Sequence, residues 1–137
     1  MVITNLPLEV KLKASDVLGC LSNPVNFNVD EFKERLDELI GLYDSTEFKH
    51  YRDSVVKLTG ADMSIPNELA RIPFENLVSL GNGIDYLKHM RLCLEVLPNY
   101  NFSKKRTELE LVIGRVYTRL ELLSMIETDI INPAYQH

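Results

Sequence analysis

The chain has 137 residues, 45% of them apolar and 26% charged, and its 20 acidic and 15 basic side chains leave a formal charge of −5. Such a length suits one globular domain that buries about two-thirds of its unfolded surface. The composition excludes a disordered or collagen-like chain, and the charge argues against a protein built to live on duplex DNA.

No stretch approaches the roughly 18 apolar residues needed to cross a bilayer. Met1 to Asn5 shows no basic region followed by an apolar one, so no membrane partner and a cytoplasmic setting are expected. The two cysteines, Cys20 and Cys93, form no C-x-x-C pair and sit among leucines, as buried thiols of a reducing compartment do.

Taken in chain order, the periodicity reads as helix nearly throughout. Leu6, Leu8, Val10 and Leu12 alternate like a strand, yet Val10, Ala14, Val17, Leu18 and Leu21 fit one helical face. The favoured reading is a helix over 7–22, with Pro7 in its first turn and Asn23-Pro24 ending it. Val29, Phe32, Leu36, Leu39, Ile40 and Tyr43 define a second helix, opened by a capping box of Asn28 and Glu31. Asp44-Ser45-Thr46 then offers caps for a third helix carrying Phe48, Tyr51, Val55 and Leu58, closed at Gly60.

Residues 61–72 read as a connection with at most a short turn near 67–70. Pro73 is expected to open a long helix through Phe74, Leu77, Leu80, Ile84, Leu87, Arg91 and Leu94. Gly81-Asn82-Gly83 interrupts it as a kink or a turn, and the helix ends before Pro98. After a short loop over 98–102, Ser103 caps the last helix. Its seam of Leu109, Val112, Val116, Leu120, Leu123, Ile126 and Ile130 runs to Asn132-Pro133. The short loop folds the two long helices into an antiparallel hairpin, which the three shorter helices cover. The expected fold is therefore an all-α bundle of about five helices in a single domain, with Gly114 as the place where a neighbouring helix comes close.

The chemical motifs are mostly absences. No phosphate loop or dinucleotide fingerprint occurs, and no serine or cysteine has the spacing of a nucleophile elbow. Glu47 and His50 stand three apart, and Asp85 and His89 four apart. With Glu34 or Glu121 they outline a metal-dependent bundle enzyme, but the di-iron pattern requires two Glu-x-x-His motifs and the chain has one. Glu31, Glu34 and Glu38 line one side of the second helix, with Lys33 and Arg35 interleaved, which reads as a solvated, salt-bridged face. Helical nucleotide pyrophosphohydrolases add a Glu-x-x-Asp pair on the following helix, and residues 45–60 lack one. No catalytic residue, metal or cofactor is assigned.

One polar cluster stands out. Lys104, Lys105 and Arg106 follow Ser103 at the start of the longest helix, where the macrodipole is already positive and acids would be favoured. Together with Arg91, Arg115 and Arg119 they form a candidate site for an anion or an acidic partner, with Glu108 and Glu110 as local neutralisers. Tyr100 and Phe102 interleave aromatic with basic residues, as single-strand-binding surfaces do, although loop aromatics more commonly pack onto the end of a bundle.

A bundle without catalytic residues works through its surface. The leading expectation is a non-enzymatic protein-interaction module, as an adaptor, inhibitor or assembly factor, whose partner is another protein or a second copy in a homodimer. A nucleic-acid accessory role through residues 103–106 is the alternative, and a metal-dependent enzyme stands behind both.

Overall fold

A computed structural model describes residues 6–22, 27–61, 67–97 and 102–126, with side chains over 6–22, 27–55, 75–97 and 104–125. The described residues form five helices: α1 (Leu6–Leu21), α2 (Val29–Tyr43), α3 (Thr46–Ala61), α4 (Asn67–Val96) and α5 (Phe102–Ile126).

The ambiguous first segment is a helix. Val10, Ala14, Val17 and Leu21 are buried on one face, while Leu8 and Leu12, which suggested a strand, are exposed on the other. The Asn28 cap of α2 forms as expected, its Oδ1 accepting the Glu31 N–H at 3.1 Å. Val29, however, is exposed and takes no part in the core. At the α2–α3 turn the Asp44 N–H donates to the Ile40 carbonyl, and Ser45 Oγ caps α3 by accepting the Phe48 N–H at 3.2 Å. Helix α3 continues one residue past Gly60, so that glycine does not end it.

Three boundaries differ from the sequence reading. Helix α4 starts at Asn67, so Pro73 lies in its second turn rather than at its opening. A proline there removes a single N–H from the ladder, a loss that a helix of 30 residues carries. The same helix runs without a break through Gly81-Asn82-Gly83. Helix α5 begins at Phe102, so Ser103 is already helical and does not cap it. The expected Asn23-Pro24 break, most of the 98–102 loop, the Asn132-Pro133 stop and the positions of Tyr100 and Ile130 lie outside the described residues, as does the Phe102 side chain.

Helices α1, α2, α4 and α5 occupy four corners. Helix α1 lies beside α2 and α5, α4 lies beside the same two, and among the described residues the backbones of the diagonal pairs stay more than 8 Å apart. Neighbours run antiparallel. Lys13 meets Glu38 between α1 and α2, and Lys33, Asp37 and Asp44 of α2 meet Glu95, Arg91 and Lys88 of α4 in reversed order. Between α1 and α5, Lys11 reaches Glu121 at 3.9 Å. Helix α3 lies against α4 and, less extensively, against α1 and α2. Its Phe48 ring packs at a tilt against Tyr43 at 5.3 Å and Tyr51 at 5.2 Å between centroids, with the Arg52 guanidinium 4.2 Å from the centre of the Tyr43 ring.

The C-terminal hairpin is the antiparallel pair that the sequence implies, and its two helices come close at Gly83. A Cβ on Gly83 would stand 2.6 Å from Val116 Cγ2, whereas one on Gly114 would meet nothing within 4 Å. The expected role of Gly114 therefore belongs to Gly83, one helix earlier. The α5 seam shifts in a related way. Leu109, Ile113, Val116, Leu120 and Leu123 are the buried set, while Val112 lies half-buried on the α4 flank. In α4 the buried apolar side chains among the described residues are Leu77, Leu80, Ile84, Leu87 and Met90, with Arg91 beside them and outside the core.

Candidate interaction surface on α4 and α5

The surface follows from the two helical periods that α5 carries. Its core set, Leu109, Ile113, Val116, Leu120 and Leu123, recurs every seven residues in alternate steps of four and three. A second set with the same steps, Leu111, Arg115, Thr118, Leu122 and Met125, falls almost opposite and is exposed throughout. Leu111 is 59% exposed, Leu122 36% and Met125 62%. An exposed leucine on its own is ordinary, but three large apolar side chains in heptad register form an exposed seam, against which no other helix of the described residues packs.

Two shallow grooves flank this ridge. The α4 side holds a groove of about 610 Å³ whose floor includes Gly83 and whose walls include Asn82, Tyr86, Glu108, Leu111 and Arg115. On the outward side a hollow of about 370 Å³ is formed by Glu110, Leu111, Gly114, Arg115, Thr118 and Arg119. Leu111, Arg115 and Arg119 border both. The nearby Tyr86 hydroxyl, followed by Lys105, holds the Glu108 carboxyl below the usual range. Arg119 Nη1 donates at 3.2 Å to the side-chain oxygen of Asn76, a buried polar residue of α4.

The six cations of the candidate patch do not converge. Arg91 lies on the α2 side of α4, where it grips Asp37 through Nε at 2.8 Å and Nη2 at 3.1 Å and reaches Glu95 at 3.0 Å. Hydrogen bonding to Arg91, then the nearby charge of Lys33, pulls the Glu95 carboxyl below its ordinary value. Lys105 pairs with Glu108 at 3.3 Å. Arg106 pairs with Glu110 at 3.3 Å, lies over the Phe27 ring at 5.3 Å and donates to the Leu21 carbonyl. That last contact explains the cation. Helix α1 has no basic residue in its last turn, and Arg106 of α5 satisfies one of its terminal carbonyls from across the interface. Arg119 is turned toward Asn76, which leaves Lys104 and Arg115 exposed and outside any ion pair among the described residues.

The remaining candidates are scattered. Glu47, His50, Asp85 and His89 are all exposed, and among the described residues no three His, Cys, Asp or Glu side chains gather as metal ligands. Cys20 and Cys93 are half-buried free thiols on α1 and α4, helices whose backbones stay more than 8 Å apart among the described residues. Burial, then the Glu31 charge, pushes the Cys20 thiol up, away from the reactive thiolate. Cys93 Sγ lies 3.7 Å from His89 Nε2, a contact that the four-residue spacing on one helix produces by itself. On α2, Glu38 accepts from both Lys13 and Arg35, the salt-bridged face that the interleaved charges imply.

Sequence reasoning missed the outward seam. The signal is present as a second heptad set offset by two residues from the core set, but only the packing shows which of the two is covered. Among the described residues no helix is long and apolar enough to cross a membrane. Compared with protein-family models, curated proteins and solved structures, the chain matches none.

Proposed function

We propose that this protein is a non-enzymatic interaction module of the cytoplasm, an adaptor, inhibitor or assembly factor that binds another protein through the outward face of α5 and its α4 flank. The observation that carries this reading is the exposed seam of Leu111, Leu122 and Met125 bordered by two grooves. Covering such a seam removes apolar area from water at about 25 cal/mol per Å², the usual driving force for helix docking. Phosphate recognition has less support, because Arg91, Lys105, Arg106 and Arg119 are already engaged by side chains or a carbonyl of the same chain.

Photo-crosslinking in cells tests the reading. A benzophenone amino acid replaces Thr118 on the seam or, as a control, Asp53 on the exposed side of α3. The expected outcome is a discrete crosslinked protein species, whether a second copy or a different chain, from position 118 and none from position 53. Equal labelling at both positions, or none at either, would remove the α5 face as the working surface.

A further inference from the structure

We infer that the groove between α4 and α5 is a binding site for a small organic monocarboxylate, whose carboxylate lies between the Arg115 and Arg119 guanidiniums. The inference does not rest on the outward seam being a docking surface, which crosslinking from position 118 tests separately.

The groove runs between two rows of side chains. Positions 108, 112, 115 and 119 of α5 follow one another at helical steps of three and four, and Ser79, Asn82 and Tyr86 of α4 do the same on the facing wall. Its volume of about 610 Å³ suits a small molecule. Gly83 leaves the floor without a side chain, and Leu111 and Val112 supply an apolar wall.

The cationic end is prepared for an anion. Like charges four residues apart on one helix repel, and among the described residues no acidic side chain pairs with Arg115 or Arg119. A bound anion removes that repulsion. Arg119 is held from behind by Asn76, the one buried polar residue among the described residues, whose side-chain oxygen accepts from Nη1 at 3.2 Å. An apolar residue would fill that interior position without the desolvation that an amide brings. Asn76 is therefore a positioning residue: it orders the guanidinium before a ligand arrives and leaves most of its N–H donors available.

The rest of the groove selects the ligand. Glu108 stands two turns from Arg115, about 10 Å along the axis, and the nearby Tyr86 hydroxyl and Lys105 keep it ionised. A second negative charge on the ligand would be repelled there. Phosphate sites draw on the open N–H groups of a helix N-terminus or a loop, whereas both walls here are helix interior and offer side chains alone. Two guanidiniums in reach of one small group suit the two oxygens of a carboxylate.

NMR titration of the isotopically labelled full chain with hydrocinnamate tests this. The expected result is a saturable shift of the Arg115 and Arg119 side-chain N–H signals and of the amides over 79–86, with a Kd on the order of 1 mM. The neutral hydrocinnamamide, with the same apolar body, should bind about tenfold more weakly. Arg115→Gln, at an exposed position, should lose about the same factor with circular dichroism unchanged, while Lys104→Gln, which removes an equal charge about three turns away, should change affinity less than about twofold. Asn76→Leu should weaken hydrocinnamate and leave the amide unaffected, which separates an unpositioned guanidinium from a reshaped groove.

The absence of a saturable shift below about 10 mM would overturn the inference. So would equal binding of acid and amide, or an equal loss in Lys104→Gln and Arg115→Gln. Tighter binding of phenethylphosphonate than of hydrocinnamate would overturn the assignment to a carboxylate.

Discussion

Adding one methyl group at two glycines of the C-terminal hairpin should move stability in opposite directions. At Gly83 the new Cβ would stand 2.6 Å from Val116 Cγ2, against the roughly 3.5–4.0 Å of a relaxed carbon–carbon contact, so about 1 Å must be found. Val116 cannot supply it by rotating. It is 1% exposed, and a β-branched side chain in a helix is held in one χ1 well. Helices α4 and α5 must instead separate, an overpacking that costs about 1–3 kcal/mol and is offset by roughly 1 kcal/mol of helix propensity gained on replacing glycine. At Gly114 the propensity gain comes without a clash, because nothing lies within 4 Å of the added atom.

The propensity terms cancel in the comparison. Gly83→Ala should therefore be less stable than Gly114→Ala by about 1–3 kcal/mol, the overpacking cost alone. Urea unfolding followed by circular dichroism, at one fixed protein concentration, measures the difference. Equal stabilisation by both substitutions would refute the assignment of Gly83 as a point of close helix approach.

Arg106→Ala should destabilise the fold by about 1–2 kcal/mol, because it strips the Leu21 carbonyl of its donor and the Phe27 ring of its cation. Arg106→Lys should recover little of that in thermal unfolding, since an ammonium cannot span the carbonyl, Glu110 and the ring together; full recovery would show that charge alone matters there. Tyr86→Phe should raise the Glu108 carboxyl back toward its ordinary range, read by carbon-detected NMR titration, because the phenol is the first cause of its depression. The sign for stability follows from that depression: what Glu108 contributes is fully present above its unfolded-chain pKa and fades as pH falls through the lower folded value. An unchanged Glu108 titration in Tyr86→Phe would assign the shift to Lys105 instead.

Much of this molecule is local and therefore legible in the sequence. The spacing of Phe32, Leu36, Leu39 and Tyr43 states both a helix and its buried face, and Asn28 states where that helix starts, because cap and period involve only residues a turn or two apart. Length and the alternation of long amphipathic segments determined the all-α class and the antiparallel C-terminal hairpin.

Everything that depended on which surface meets which was decided by tertiary packing. The sequence shows two glycine sites on the hairpin and cannot say that the helices close on Gly83 rather than Gly114. It shows Pro73 as a natural helix start, and α4 nevertheless extends six residues further toward the N-terminus. It shows a knot of cations at Lys104 to Arg106, and only the antiparallel docking of α5 on α1 turns Arg106 into the cap of a distant helix. Two heptad sets rich in large apolar residues lie on α5 in equal view. A helix fixes the angle between them from its own geometry, but which set is covered depends on neighbours up to a hundred residues away. That is why the core was readable as a pattern, and the exposed seam of Leu111, Leu122 and Met125 only as a structure.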